Sequence, residues 1–116
     1  MSWSIQKSKF FDSRFKRFQK KHSEEALAVL NNLDSYFKTL CDGVNPLNIK
    51  AGFIHHEPIG IKALDQKGGK GNLMQSRLYV YPDVSTQILH VISIGTKVDQ
   101  RGDINECKTY IDPLKK

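Results

Sequence analysis

The chain has 116 residues and a formal net charge of +6, from 18 Lys and Arg against 12 Asp and Glu. This length fits a single domain, residues 1–116, which can bury a core without disulfides or structural metals. With 39% hydrophobic and 26% charged residues, the composition excludes a disordered or collagen-like chain. The apolar runs are short and the first residues lack a secretory pattern, so we expect a cytoplasmic protein with no membrane segment.

The positive charge is concentrated near the amino terminus. Residues 1–22 contain seven Lys and Arg against one acidic residue, whereas the other 94 residues carry eleven charges of each sign. A basic surface on one element favours a polyanion such as nucleic acid, or an acidic protein partner, over an uncharged ligand. The alternative is a solvated helix face that only keeps the protein soluble. The residues of this segment that we predict to bind nucleic acid are Arg14, Lys16, Arg17 and Lys20.

The first half of the chain predicts one strand and two helices. Residues 3–7 alternate apolar and polar, as a short strand does. Residues 9–20 carry three phenylalanines on one helical face, which predicts a helix with an aromatic stripe in the core. A second amphipathic helix is expected from a cap at His22 and Ser23 to Gly43.

The second half predicts a loop followed by three strands. Residues 44–58 contain two prolines and a glycine without periodicity, so we expect a loop there. The β-forming segments are 60–64, 75–81 and 87–94, and the last two are expected to form an antiparallel hairpin with a turn at Pro82 and Asp83. Between the first two strands we expect an exposed basic connection, in which Lys67 and Lys70 are further candidates for nucleic-acid binding.

A short helix is expected at the carboxyl end. Asp103 and Glu106 have the D-x-x-E spacing of a capping box, and apolar residues follow at helical spacing until Pro113. The predicted fold class is therefore α+β: two N-terminal helices packed on a mostly antiparallel sheet of about four strands, with a short C-terminal helix.

No metal or cofactor motif is found in the sequence. His55 and His56 are adjacent, so on an extended chain they point to opposite faces and do not easily share a metal. The glycines around Lys70 lack the spacing of a phosphate-binding loop. We therefore expect neither a metal site nor a cofactor.

Basic residues at strand ends are the best candidates for chemistry. Arg77 opens one hairpin strand and Lys97 follows the other, so antiparallel pairing is expected to bring them together, with Lys62 on the same face. Converging cations suit the binding of a phosphodiester and the stabilisation of charge on phosphorus. The alternative is that Arg77 is an ordinary strand-end residue paired with Asp65 or Asp99.

The hairpin resembles that of a known family. Residues 77–81 (RLYVY), a turn, and residues 89–97 (LHVISIGTK) are similar to the "R-L/I-x-Y, turn, hydrophobic strand, G-x-K" hairpin of the RelE/ParE superfamily of bacterial toxins. The positions that match the pattern "G-D-K-x-x-Q-x-x-D-I" of its addiction-module killer branch are Lys97, Gln100, Asp103 and Ile104.

The resemblance implies a toxin held inactive by a cognate antitoxin protein, which cuts messenger RNA on the ribosome without a metal. In such cleavage the ribose 2′-hydroxyl attacks the phosphate, and Arg77 and Lys97 are the expected catalytic cations. His55, His56 and Tyr110 are candidates for the base or the acid. The alternatives are a non-enzymatic inhibitor of DNA gyrase, a catalytically degenerate toxin, or a basic RNA-binding domain.

Overall fold

The computed structural model describes residues 3–66, 75–96 and 99–115. These residues contain three α-helices and five strands. They are, in chain order, β1 Ser4–Lys7, α1 Phe11–Lys21, α2 Ser23–Cys41, β2 Ile54–His56, β3 Lys62–Asp65, β4 Ser76–Asp83, β5 Ile88–Thr96 and α3 Gln100–Ile111. The strands form one sheet in the order β1-β5-β4-β3-β2. The α+β fold class is confirmed, with five strands instead of about four.

The sheet is antiparallel except at one edge. The strands β2, β3, β4 and β5 pair antiparallel, and β1 pairs parallel with β5. The β4–β5 hairpin is the longest pairing and sets Arg77 opposite Gly95, and Ser76 opposite Thr96. The start of β4 therefore lies beside the end of β5, as the sequence predicted.

Both faces of the sheet are covered. The α1–α2 hairpin packs on one face, where Leu78 and Val80 of β4 meet Val29 of α2. Helix α3 packs on the other face, where Tyr79 of β4 meets Cys107. Because side chains alternate along a strand, neighbouring residues of β4 belong to different cores. No helix among the described residues is long and apolar enough to cross a membrane.

Two predictions about the second half were wrong. Residues 44–58, predicted as a loop, contain the strand β2, whose three residues are too few to show alternation. The predicted turn at Pro82 and Asp83 belongs to β4, and the chain turns over residues 84–87 instead. Strand β3 pairs with β4 only as far as Val80, so Pro82 lies where a missing N–H costs no hydrogen bond to β3.

The predicted helix caps were also wrong. Helix α3 begins at Gln100, so Asp103 and Glu106 lie within it and do not form a capping box. Their carboxylates face Arg14 of α1 instead. At the start of α2, His22 occupies the cap position without a side-chain capping bond.

Candidate nucleic-acid interface

A groove of about 920 Å³ runs between α1 and the start of α3, at the end of β5. We call it the α1–α3 groove. The lining residues that matter for its chemistry are Arg14, Arg17, Lys21, His22, Asp103 and Glu106. It gathers basic residues from α1, acidic residues from α3 and a histidine from the α1–α2 junction.

The α1 wall of the groove is basic. Arg14, Arg17 and Lys21 are three and four residues apart, so they share one helix face. The side chains of Arg17 and Lys21 are exposed, and no ion pair to either is found among the described residues. Lys16 and Lys20 are also exposed on α1 but do not line the groove. Four cations of this helix are thus accessible to a polyanion.

Arg14 has a structural role instead of facing solvent. Its guanidinium donates hydrogen bonds to both carboxylate oxygens of Glu106 and lies 3.7 Å from Oδ1 of Asp103. It also lies over the ring of Phe10, 5.3 Å from its centroid. The hydrogen bond to Glu106 raises the pKa of Arg14, so its charge is already matched within the protein. The positive charge that the groove offers to a ligand therefore comes from Arg17 and Lys21.

Asp103 is a buried carboxyl group at the base of the groove. Its exposed fraction is 5%, and its Oδ2 has no hydrogen-bond partner among the described residues. Burial, reinforced by Asp99 and opposed by Arg14, raises the pKa of Asp103 to about 7. A Cβ atom on Gly95 would clash with this oxygen, so a larger residue near the end of β5 would force the carboxyl group to shift.

Arg77 is held inside the protein on the face that α3 covers. Its exposed fraction is 8%, and its Nη1 donates to Oε2 of Glu57 at 3.3 Å. Gln100 donates to the same oxygen at 3.4 Å. The ion-pair partner of Arg77 is therefore neither Asp65 nor Asp99, the two carboxylates that the sequence suggested. Its predicted neighbour Lys97 lies outside the described residues.

Asp65 faces Arg77 in the β3–β4 register but has other partners. Its Oδ2 lies 3.3 Å from Nε2 of His55 and 3.5 Å from Nε2 of Gln75. His55 is thus engaged in a side-chain pair within the sheet. Asp65 is 8% exposed, so its carboxylate presents little charge at the protein surface.

Lys62 lies on the opposite face of the sheet from Arg77. It pairs with Val80, whose side chain belongs to the core under the α1–α2 hairpin, so the prediction that Lys62 and Arg77 share a face was wrong. Its Nζ lies 2.8 Å from Nδ1 of His56, and burial lowers the pKa of Lys62. The other two lysines predicted to bind RNA, Lys67 and Lys70, lie outside the described residues.

The sequence did not assign a chemical role to two groups of the groove. His22 and Asp103 were both interpreted as helix caps. The ring of His22 packs against that of Phe18 in a tilted arrangement, with 4.9 Å between the ring centroids, and its Nδ1 lies 3.6 Å from Oε2 of Glu25. No cluster of three or more His, Cys, Asp or Glu that could hold a metal is found among the described residues.

The comparisons with known proteins identify no relative. The chain matches no protein-family model, no curated protein and no solved structure. The resemblance to the RelE/ParE toxins therefore rests on the hairpin and the pattern that follows it in the sequence. The geometry of the α1–α3 groove stands independently of that resemblance.

Proposed function

We propose that the chain is the toxin of a toxin–antitoxin module and cleaves ribosome-bound messenger RNA without a metal ion. One observation carries this proposal: the α1–α3 groove combines two unmatched cations, Arg17 and Lys21, with the buried carboxyl group of Asp103. A phosphodiester needs cations to bind it, and its cleavage needs groups that exchange protons near neutral pH. The groove provides both in one place.

The exposed cations of α1 bind the RNA backbone in this proposal. Arg17 and Lys21 contact the phosphate that enters the groove, while Lys16 and Lys20 contact phosphates that pass outside it. Contacts of this kind position a strand and do not read its sequence. Selection of the cleavage site then comes from the ribosome, which presents a single-stranded message.

The same cations account for control by an antitoxin. An acidic segment of the cognate antitoxin that covers Arg17 and Lys21 neutralises the wall of the groove and blocks access to Asp103. Binding of the antitoxin and of RNA is therefore mutually exclusive. Activity on the ribosome places the protein in the cytoplasm.

A double substitution tests the binding step. Arg17→Ala with Lys21→Ala removes two phosphate contacts, and Lys38→Ala is the matched control on the exposed side of α2. For single strands the slope of log affinity against log salt falls by about 0.7 for each lost contact, so we expect a slope shallower by about 1.4. A double variant that binds a single-stranded RNA oligonucleotide with unchanged affinity and slope contradicts the proposal.

A non-enzymatic toxin-fold protein that inhibits DNA gyrase is the second candidate. The ion pair of Arg77 with Glu57 favours it, because a guanidinium so engaged and 8% exposed is poorly placed to contact a phosphate. Induced expression with pulse labelling separates the two candidates. Early loss of amino-acid incorporation supports the endonuclease, whereas intact translation with a collapse of thymidine incorporation supports the gyrase inhibitor.

A further inference from the structure

Two protonatable side chains reach the α1–α3 groove from different elements. His22 lies at the junction of α1 and α2, and Asp103 lies in the first half of α3. His22 and Asp103 are far apart in the sequence. The fold brings both to the groove, whose α1 wall Arg17 and Lys21 make basic. A phosphodiester bound by these cations would share the groove with an imidazole and a carboxyl group.

The surroundings of Asp103 favour a carboxyl group that carries a proton. Asp103 is 5% exposed and its Oδ2 has no donor among the described residues, and both conditions disfavour the ionised form of the carboxyl group. Within the described part of the chain, three charged groups surround Asp103: Arg14 on α1, Asp99 just before α3, and Glu106 within α3. Arg14 favours the ionised form, but its main partner is Glu106, so burial dominates.

His22 is placed to accept a proton at the rim of the groove. Its ring packs against Phe18 at an interplanar angle of 42°, and Nδ1 lies 3.6 Å from Oε2 of Glu25, so these two contacts orient the ring. The three sequence-derived candidates are engaged elsewhere: His55 with Asp65, His56 with Lys62, and Tyr110 with His90. None of the three candidates lines the groove.

We propose that His22 is the general base and Asp103 the general acid of RNA cleavage in the α1–α3 groove, an inference that rests on the proposed endonuclease function. His22 takes the proton of the ribose 2′-hydroxyl as O2′ forms its bond to phosphorus. The bond from phosphorus to O5′ breaks, and O5′ takes the proton of Asp103. The products are a 2′,3′-cyclic phosphate and a 5′-hydroxyl, and solvent returns a proton from the imidazolium to the carboxylate.

A substrate with sulfur in place of O5′ at the cleaved linkage tests the acid directly. A thiolate leaves without protonation, so this 5′-phosphorothiolate no longer needs the acid but still needs the base. We expect Asp103→Asn to cleave the ordinary ribosome-bound message at least about a hundredfold more slowly than the wild type does. The same variant is expected to cleave the phosphorothiolate at nearly the wild-type rate. His22→Gln is expected to be slow on both. The matched control for the acid is Asp34→Asn, the same exchange at an exposed position outside the groove.

The outcomes separate this inference from the function on which it rests. Full activity of Asp103→Asn on the ordinary message, or slow cleavage of both linkages, overturns the role of the acid while the endonuclease stands. A wild-type protein that cuts neither message refutes the endonuclease itself. If Asp103→Asn fails to fold, the pH dependence of the wild-type rate tests the acid instead. Because burial raises the pKa of Asp103 to about 7, cleavage of the ordinary linkage is expected to slow above that pH, and cleavage of the phosphorothiolate is not. Identical profiles for both substrates overturn the role of the acid.

Discussion

Exchange of Asp103 for Asn is expected to make the protein more stable, and increasingly so as the pH rises. Burial raises the pKa of Asp103 in the folded protein from its ordinary value of 3.8 to about 7. Each pKa unit corresponds to about 1.36 kcal/mol, so ionising this carboxyl group costs the folded state about 4 kcal/mol. Asparagine has nearly the same shape as the protonated carboxyl group and pays no such cost.

The sign of the pH dependence follows from proton binding. Between about pH 4 and pH 7 the folded protein holds the proton of Asp103 and the unfolded chain has released it, so wild-type stability falls with rising pH. The advantage of Asp103→Asn over wild type therefore grows by about 3 kcal/mol between pH 5 and pH 8.

Urea denaturation at pH 5 and pH 8, followed by circular dichroism, measures this difference. Asp34→Asn, the same exchange at an exposed position of α2, is the control and is expected to change stability by less than about 0.5 kcal/mol at both pH values. An advantage of Asp103→Asn that is independent of pH, or that shrinks as the pH rises, refutes the placement of a protonatable carboxyl group beneath the groove.

Two further predictions concern residues that hold the groove and the sheet in place. A Cβ atom on Gly95 would clash with Oδ2 of Asp103, whereas one on Gly102 would meet nothing within 4 Å. Urea denaturation should therefore show that Gly95→Ala destabilises the protein by about 1–3 kcal/mol. Gly102→Ala lies in a helix and is expected to stabilise it by up to about 1 kcal/mol. Equal effects of the two exchanges contradict the contact between Gly95 and Asp103. Arg77→Met leaves the partly buried carboxylate of Glu57 without its cation and is expected to cost about 3 kcal/mol. The added exchange Glu57→Gln is expected to restore most of this loss, and a negligible loss in Arg77→Met shows that the pair is not structural.

The helices and the main hairpin could be predicted because their patterns extend over many residues. Helix α2 spans 19 residues, and β4 and β5 span eight and nine residues that are rich in β-forming, apolar side chains. Strand β2 has three residues, too few for alternation to be distinguished from a loop. Its position is fixed by pairing with β3, a contact between segments that the sequence does not encode locally.

The site could be predicted only in part for a similar reason. The spacing of Asp103 and Glu106 suits a capping box and equally suits two carboxylates on one helix face, and only the contact with Arg14 decides between them. The face of the sheet on which Lys62 lies depends on the β3–β4 register. Lys62 pairs with Val80, which is three positions from Arg77, and residues separated by an odd number of positions along a strand lie on opposite faces. The basic character of α1, by contrast, is visible in the sequence because charge needs no tertiary contact to be counted.

Cleavage of a ribosome-bound message in excess EDTA, followed by analysis of the new RNA ends, tests the proposed function most directly. Attack by the 2′-hydroxyl with proton transfer by groups of the α1–α3 groove predicts cleavage that persists in the chelator and leaves a 2′,3′-cyclic phosphate or a 3′-phosphate. Loss of cleavage on addition of EDTA, or fragments that end in a 3′-hydroxyl, would contradict it.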